Sequence, residues 1–205
     1  LDNRMHSGHA TPPTVVSVHA GTARGLMVGG SRVLTAIAKF PQSGPVEVKP
    51  LGLVGDEQVD LSYHGGLDQA VYAYPSEHLS FWSAQRAIHQ PGLFESAVTA
   101  GMVGENLSIR GLLETEVYVG DTLHIGHSLA LRVTRYREPC GTFNAVMGYP
   151  QAAKDMIQRA FTGFYLRVIT PGLVQAGDAI TLTHGAKSLC IADMARGKWA
   201  KHAND

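Results

Sequence analysis

The sequence predicts a mainly β fold, with a β-barrel or β-sandwich core decorated by a few α-helices. Short β-branched runs recur between turn-forming residues, and the chain holds 23 glycines and 10 prolines. Segments with helical periodicity are few. Strands and helices do not alternate as they do in βαβ units, so a doubly wound parallel sheet is not expected.

Five segments are predicted as strands because they are short, rich in β-branched residues and bounded by turn residues. They lie at residues 15–18, 46–48, 70–74, 129–134 and 179–183. Gly-Asp pairs at 120–121 and 177–178 each precede a strand-like run, so we expect turns there.

Two helices are predicted between the strands, and a third near the C-terminus. The first begins after Pro75, with Ser76 as its cap and an apolar side formed by three residues. These are Leu79, Trp82 and Ile88. The second spans 151–159, and a short amphipathic helix is expected at 189–200.

These elements divide the chain into three parts. The polar segment 1–13 starts without Met and carries His6 and His9, so we expect a disordered leader or an expression remnant rather than a signal peptide. The main domain spans 14–186. Residues 187–205 are expected to form a short helical tail or a truncated helical extension.

The composition argues against several classes of protein. Seventeen basic and seventeen acidic residues balance, which argues against nucleic-acid binding and electrostatic attachment to a membrane. No apolar stretch reaches transmembrane length. Cys140 and Cys190 are too few for a disulfide framework, so we expect reduced thiols in a cytoplasmic protein. Edge strands and the terminal helix are compatible with a homodimer.

The densest polar cluster lies at 55–69. Its main members are Asp56, Asp60, His64, Gly65, Gly66 and Asp68. Carboxylates this close need donors or a ligand to hold them, and glycine lets the backbone approach a bound group. We interpret the segment as the lip of a polar pocket. Tight turns use the same residue types, and for each Asp taken alone that interpretation is equally good.

Cys140 is the second candidate. It follows a predicted strand on which Arg135 and Arg137 point to the same face, and Pro139 ends that strand. Nearby guanidinium groups favour the thiolate, which binds soft metals or carries sulfur. A buried, inert thiol is the commoner fate of a lone cysteine. The neighbours of Cys140 favour an exposed, shaped position, whereas Cys190 is interpreted as structural.

A third and weaker signal is Glu105-Asn106. It is either a plain turn into a strand or, through the donor and acceptor of Asn106, a contact to the edge of a heterocycle. Neither a dinucleotide-binding glycine motif nor a P-loop is present. His64 with the three aspartates could in principle bind a metal, but no second His at helical spacing supports such a site.

Taken in order, these motifs resemble the MOSC domain in its YiiM-type branch, from about residue 15 to about residue 184. The matching motifs are Gly55-Asp56-Glu57-Gln58, His64-Gly65-Gly66, Gly104-Glu105-Asn106-Leu107-Ser108, Gly120-Asp121 and Arg137-Glu138-Pro139-Cys140. The resemblance implies a β-barrel, a bound molybdenum cofactor (molybdopterin) and a detoxifying reductase of small N-hydroxylated compounds, including nucleobase analogues. A separate protein would donate the electrons.

The resemblance also implies residue roles. Cys140 would be the thiolate ligand of molybdenum, and His64, or alternatively Glu105, would supply a proton. Arg137, with Arg135 beside it, would bind the cofactor phosphate. The full set expected to bind the cofactor is Lys39, Asp56, Asp60, His64, Gly65, Gly66, Asp68, Glu105, Asn106, Arg135 and Arg137. For Lys39, a plain surface position is equally expected.

Two other functions stay open on the sequence alone. One is a sulfur carrier that holds a persulfide on Cys140 for assembly of a metal–sulfur cluster or cofactor, and the other is a non-catalytic carrier of the molybdenum cofactor. Two features depart from the branch: the segment after the main domain is short, and Gly141-Thr142 stand where relatives often have a lysine.

Overall fold

The computed structural model describes residues 12–59, 65–92 and 97–202, with side chains described as far as 197. The fold is mainly β, as the sequence predicts. The strands of the described ranges are β1 (Thr14–Ala20), β2 (Arg24–Val28), β3 (Ser31–Thr35), β4 (Phe40–Pro41), β5 (Val46–Lys49), β6 (Gly52–Leu53), β7 (Val71–Pro75), β8 (Leu107–Arg110), β9 (Thr122–Ile125), β10 (Leu129–Tyr136), β11 (Phe164–Thr170), β12 (Gly172–Val174) and β13 (Ile180–Thr183). The α-helices there are α1 (Leu79–His89), α2 (Gly141–Met147), α3 (Ala152–Arg159) and α4 (Ile191–His202).

One large mixed sheet organises the molecule. Its strand order is β13-β9-β10-β11-β7-β8-β1-β4, and β7 and β8 form its parallel pair. The sheet is not closed into a barrel, so the predicted barrel is wrong in this respect. The reason is that β1 pairs with β8 and β4, whereas it meets the segment before β13 through an isolated bridge between Thr14 and Ala179 and a few main-chain hydrogen bonds rather than through a ladder of strand pairs.

The central strand β7 is buried on both faces of the sheet. Because successive side chains of a strand point to opposite faces, Val71 and Ala73 enter the larger hydrophobic cluster, while Tyr72 and Tyr74 enter a second one. This alternation creates two cores on one sheet. The functional candidates lie on the face of the second core.

Helices cover both cores. α1, α2 and α3 contribute Trp82, Phe143 and Met156 to the second cluster, and each of these side chains is 0% exposed. α4 contributes Ile191 and Ala195 to the first cluster. No helix in the part of the chain that the structure describes is long and apolar enough to cross a membrane.

Most predicted elements are confirmed, and the start of the first helix is not. The five predicted strands fall on β1, β5, β7, β10 and β13, and the two later helices on α3 and α4. Residues Ser76–His78 form a 3-10 turn, so α1 begins at Leu79 and Ser76 does not cap it. Ile88 lies in the last turn and is 65% exposed, so its placement on the apolar side is wrong.

The buried carboxylate of Glu114 ties α1 to β11. Its Oε2 lies 2.9 Å from Nε2 of His78, the residue just before α1. Its Oε1 accepts a hydrogen bond of 2.7 Å from the N–H of Gly163, just before β11. Both side chains of the pair are nearly excluded from solvent. The interaction therefore fixes how α1 sits against the sheet.

We expect Glu114→Ala to lower the free energy of unfolding by about 3–5 kcal/mol, because His78 and the Gly163 N–H would stay buried without this partner. Urea denaturation measures the change. The matched control is Glu116→Ala, at an exposed position, which should cost at most about 1 kcal/mol. Equal losses in the two variants would contradict this role of Glu114.

Candidate functional site

A cavity of about 660 Å³ lies beside the second core. This volume is within the usual range of small-molecule and cofactor sites. Its walls come from the end of the β2–β3 hairpin and the residues that follow it, from the loop around 56–59, from β7, β10 and β11, and from residues 138–142. Of the residues proposed from the sequence, those that line it are Lys39, Asp56, Asn106, Arg135, Arg137 and Cys140.

Cys140 stands at the junction between β10 and α2. It immediately precedes α2, and its carbonyl oxygen accepts a hydrogen bond of 3.0 Å from the N–H of Phe143. The residue is half-buried and lines the cavity, and it forms no disulfide. Cys190 differs, because it is buried in the larger core and its Sγ donates to the carbonyl oxygen of Glu114 at 3.5 Å.

Arg137 places a cation in the interior of the protein. The residue is 5% exposed, and its guanidinium lies 5.9 Å from the ring centre of Tyr72 and 5.1 Å from that of Phe143. Its Nη1 also contacts Sδ of Met156 at 3.8 Å. None of the described carboxylates pairs with it. Because a buried charge is costly without a counter-ion, Arg137 is suited to hold an anionic group in the cavity.

Arg135 lies on β10, nearer to solvent than Arg137, which directly follows the end of that strand. Its Nη2 is 3.3 Å from Oε2 of Glu138, and both side chains are more than a third exposed. Its Nε is buried and has no hydrogen-bond partner among the described residues. The two arginines therefore give the cavity a positively charged wall from its interior to its mouth.

Asp56 is held by donors from three separate segments. Its Oδ1 accepts from Nζ of Lys39 at 2.5 Å and from the N–H of Gly21 at 2.9 Å, and its Oδ2 accepts from Nδ2 of Asn106 at 2.9 Å. The Lys39 and Asp56 side chains are 8% and 5% exposed. The carboxylate oxygens of Asp56 are thus engaged mainly by donors of the protein itself.

Asn106 is fully engaged in the same way. Its Oδ1 accepts from the N–H of Tyr72 at 3.1 Å, and its second amide hydrogen is directed to the carbonyl oxygen of His19 at 3.3 Å. With Nδ2 also on Asp56, the side chain locks the loops together and has little left for a heterocycle.

The remaining proposed residues lie away from the cavity lining or outside the described residues. Asp68 forms an ion pair with Arg167 on the exposed surface, with Oδ1 of Asp68 2.6 Å from Nε of Arg167.

Gly65 and Gly66 do not line the cavity. The N–H of Gly66 donates to Oε1 of Gln58, and Gln58 is part of the cavity lining. Asp60 and His64 fall outside the described residues.

Glu105 is buried behind the cavity rather than in its lining. Its Oε1 accepts hydrogen bonds from the N–H of Gly101 at 2.6 Å and from Oγ of Ser108 at 2.8 Å. Its Oε2 has no partner among the described residues. Burial raises the pKa of this carboxyl group, and the hydrogen bonds offset part of that shift.

Sequence reasoning missed two tyrosines and one hairpin that shape the cavity. Tyr72 and Tyr165 line it from β7 and β11, and Val33 to Ile37 line it from the end of the hairpin. The tyrosines sit in strands that read as ordinary core. For the hairpin the sequence does hold a signal, the pair Gly29-Gly30. A two-residue hairpin turn of type I′ requires positive φ at both positions, which glycine adopts readily, and both residues have positive φ in the structure.

The donor set suits a cofactor that brings its own metal ligands. Among the described residues, no group of three or more His, Cys, Asp or Glu side chains is placed to hold a metal ion. One soft thiol, one buried guanidinium without a described counter-ion and a cavity of ligand size instead fit a phosphorylated cofactor with a thiophilic metal.

The MOSC domain profile matches residues 60–181, more than half of the chain. The chain belongs to the MOSC domain family. MOSC domains are generally linked to the molybdenum cofactor, so membership supports a function associated with that cofactor. The MOSC match covers β7 to β12 and the start of β13, with the arginines and Cys140, while Lys39 and Asp56 lie before it.

Three relatives of this MOSC protein are informative. Protein YiiM of Escherichia coli (strain K12) is 35% identical over 165 residues, which are 80% of this chain and 71% of that protein. A protein of Gibberella moniliformis named "Reductase" is 32% identical over 171 residues, 83% of this chain but 29% of that protein. The crystal structure of YiiM from Geobacillus stearothermophilus superposes with a TM-score of 0.72 at 28% identity, covering 93% of this chain and 85% of that one.

His19 adds a pH-dependent term to the stability of this region. Burial, and secondly the charge of Lys39, lower its pKa from 6.5 to about 4. Its Nε2 bonds to Oγ of Ser17 at 2.8 Å. The folded state therefore keeps this imidazole neutral at a pH where the unfolded chain binds a proton.

We expect the stabilising effect of a neutral His19 to be lost as the pH falls from about 6.5 to about 4, by up to about 3 kcal/mol. Urea denaturation of the wild type and of His19→Gln at several pH values measures it. The wild type should lose more stability on acidification than the variant, which lacks the titrating group. Parallel pH profiles would contradict the buried neutral state of His19.

Proposed function

We propose that this MOSC protein binds the molybdenum cofactor in the cavity and reduces N-hydroxylated compounds. The observation that carries the proposal is that a half-buried thiol, Cys140, and a buried guanidinium, Arg137, line one cavity of about 660 Å³. The similarity to a protein named as a reductase supports the reaction class.

Different residues of the cavity would bind different parts of the cofactor. Cys140 would bind the metal, because a thiolate suits a soft ion. Arg137 would bind the phosphate, with the buried Nε of Arg135 as a further donor. Lys39, whose charge is balanced by Asp56, would add N–H donors at the wall. When bound, the cofactor supplies the two-electron chemistry that side chains lack.

The proposed reaction exchanges an N–O bond for an N–H bond. A hydroxylamine, two electrons and two protons give an amine and one water molecule. Two cysteines are too few for a ferredoxin-type cluster, so a separate redox protein would supply the electrons. The protein's own task is to bind and orient the hydroxylamine and to exclude side reactions.

The cavity mouth favours a flat, partly apolar substrate. Val33 and Leu34 of β3 line the cavity and are 37% and 59% exposed, so they offer apolar surface to a ligand. Tyr72 lines it from the sheet side. These surfaces suit an aromatic or heteroaromatic ring that carries the N-hydroxyl group, such as an N-hydroxylated nucleobase analogue.

We expect Cys140→Ala to lose molybdenum when the protein is made in a host that synthesises the cofactor, because the metal loses its protein ligand. Elemental analysis measures molybdenum per chain. The matched control is Cys190→Ala, which removes the other thiol of the chain and should keep its metal, since Cys190 lies in the larger core.

Three results would count against the proposal. Equal metal content in the wild type and Cys140→Ala would exclude Cys140 as a ligand. A wild type without molybdenum would favour a sulfur carrier, to be tested by persulfide labelling of Cys140. A wild type that holds stoichiometric molybdenum but does not reduce N-hydroxylated aminopurine would favour a cofactor carrier. This absence of turnover must hold with reduced flavin and iron–sulfur proteins as electron donors.

We expect Arg137→Gln to weaken cofactor retention by about tenfold or more, because a charge-assisted contact to phosphate is lost. The measurement is the cofactor that remains after gel filtration, read from the fluorescence of the released, oxidised pterin. The matched control is Arg167→Gln, at an exposed pair with Asp68, which should retain the cofactor. Full retention by Arg137→Gln would contradict the assignment of the phosphate position.

A further inference from the structure

We propose that the hydroxyl group of Tyr165 donates a hydrogen bond to the oxygen of the N-hydroxyl substrate, and so distinguishes the substrate from its deoxygenated product. The inference rests on the proposed function, because it assigns a recognition group within the same cavity. It adds a specificity-determining residue whose role the sequence motifs do not contain.

The sheet register places Tyr165 in the middle of the cavity wall. On β11 it lies opposite Arg135 of β10 and opposite Tyr72 of β7. Residues paired across neighbouring strands project to the same face, and all three of these residues line the cavity. Phe164 and Leu166, on either side of Tyr165, belong to the opposite core. The backbone therefore fixes the direction of the Tyr165 ring.

The hydroxyl of Tyr165 differs from those of its two tyrosine neighbours. The hydroxyl of Tyr72 donates to the carbonyl oxygen of Thr162 at 2.8 Å, and that of Tyr74 to the carbonyl oxygen of Phe161 at 3.2 Å. The hydroxyl protons of Tyr72 and Tyr74 are therefore both engaged in hydrogen bonds to main-chain carbonyl oxygens. The hydroxyl of Tyr165 forms no comparable hydrogen bond with the residues that the structure describes, and Tyr165 lines the cavity.

Arg137 lines the same cavity and cannot accept the proton of Tyr165. A guanidinium has donors and no acceptor, so a contact between the two groups would use the phenol oxygen and leave its O–H bond for an acceptor in the cavity. Cys140, whose thiol would bind the metal, lines the same cavity as Tyr165.

The hydroxyl keeps its proton at neutral pH. Burial raises the pKa of Tyr165 above that of a free phenol, and the charge of Arg137 offsets part of that shift. The group is therefore a neutral donor under the conditions in which the protein works.

A donor at this position selects for an oxygen atom. The oxygen of an N-hydroxyl group accepts a hydrogen bond, whereas the amino nitrogen of an aminopurine is conjugated with the ring and mainly donates. A site with a buried donor binds a ligand without the acceptor less well, because the donor is left without a partner. The product would therefore be released more easily than the substrate.

The test is equilibrium binding without turnover. Molybdenum-loaded protein, with no electron donor present, is titrated calorimetrically with an N-hydroxylated aminopurine and with the corresponding aminopurine. We expect the wild type to prefer the N-hydroxylated compound by about three- to tenfold, the worth of one neutral hydrogen bond. In Tyr165→Phe this preference should vanish, through weaker binding of the N-hydroxylated compound alone.

Controls separate recognition from a structural effect. Tyr149→Phe removes a hydroxyl from the same core, one that bonds to Asp155 and does not line the cavity, and should keep the preference. Molybdenum content and unfolding free energy are measured for each variant. A Tyr165→Phe protein that loses metal, or binds both compounds equally more weakly, would overturn the inference in favour of a structural role.

The inference and the proposed function can fail separately. If the wild type reduces N-hydroxylated aminopurine and Tyr165→Phe keeps the binding preference, the inference is overturned and the proposed function stands. If the molybdenum-loaded wild type binds neither compound, both are overturned. Should Tyr165→Phe not fold, the wild type still decides: a wild type with no preference for the N-hydroxylated compound overturns the inference.

Discussion

The carboxylate of Asp56 is the contact on which the geometry of the cavity depends. Taking Asp56 and Lys39 out of water is costly, and the cost is offset only because the main chain of Gly21 and the amide of Asn106 also donate to the same carboxylate. Three segments far apart in sequence are thereby fixed. Asp56 thus acts mainly as a framework residue that presents Lys39 to the cavity.

The second determinant is the alternation of side chains along the central strands. The period that sends Phe164 and Leu166 into the larger core sends Tyr165 to the cavity wall, and β7 does the same with Tyr72. The site is therefore built on the sheet itself rather than on long loops. Groups held in this way keep their directions, as recognition of a small ligand requires.

The sequence predicts the parts of the fold and site that depend on local pattern. β-branched runs identify five strands, and the arginine pair before Pro139 and Cys140 identifies one end of the cavity. The open sheet could not be predicted locally, because closure depends on how β1 and β13 are paired over a long sequence separation. The surface pairing of Asp68 with Arg167, 99 residues away, escapes prediction for the same reason.

The most direct test of the account is X-ray absorption at the molybdenum edge of the protein purified from a cofactor-producing host. If Cys140 holds the metal, the wild type should have one more sulfur neighbour at bonding distance than Cys140→Ala reconstituted with the same cofactor. Identical sulfur coordination in the two proteins would show that the cavity does not bind molybdenum through this thiol, and would contradict the account at its centre.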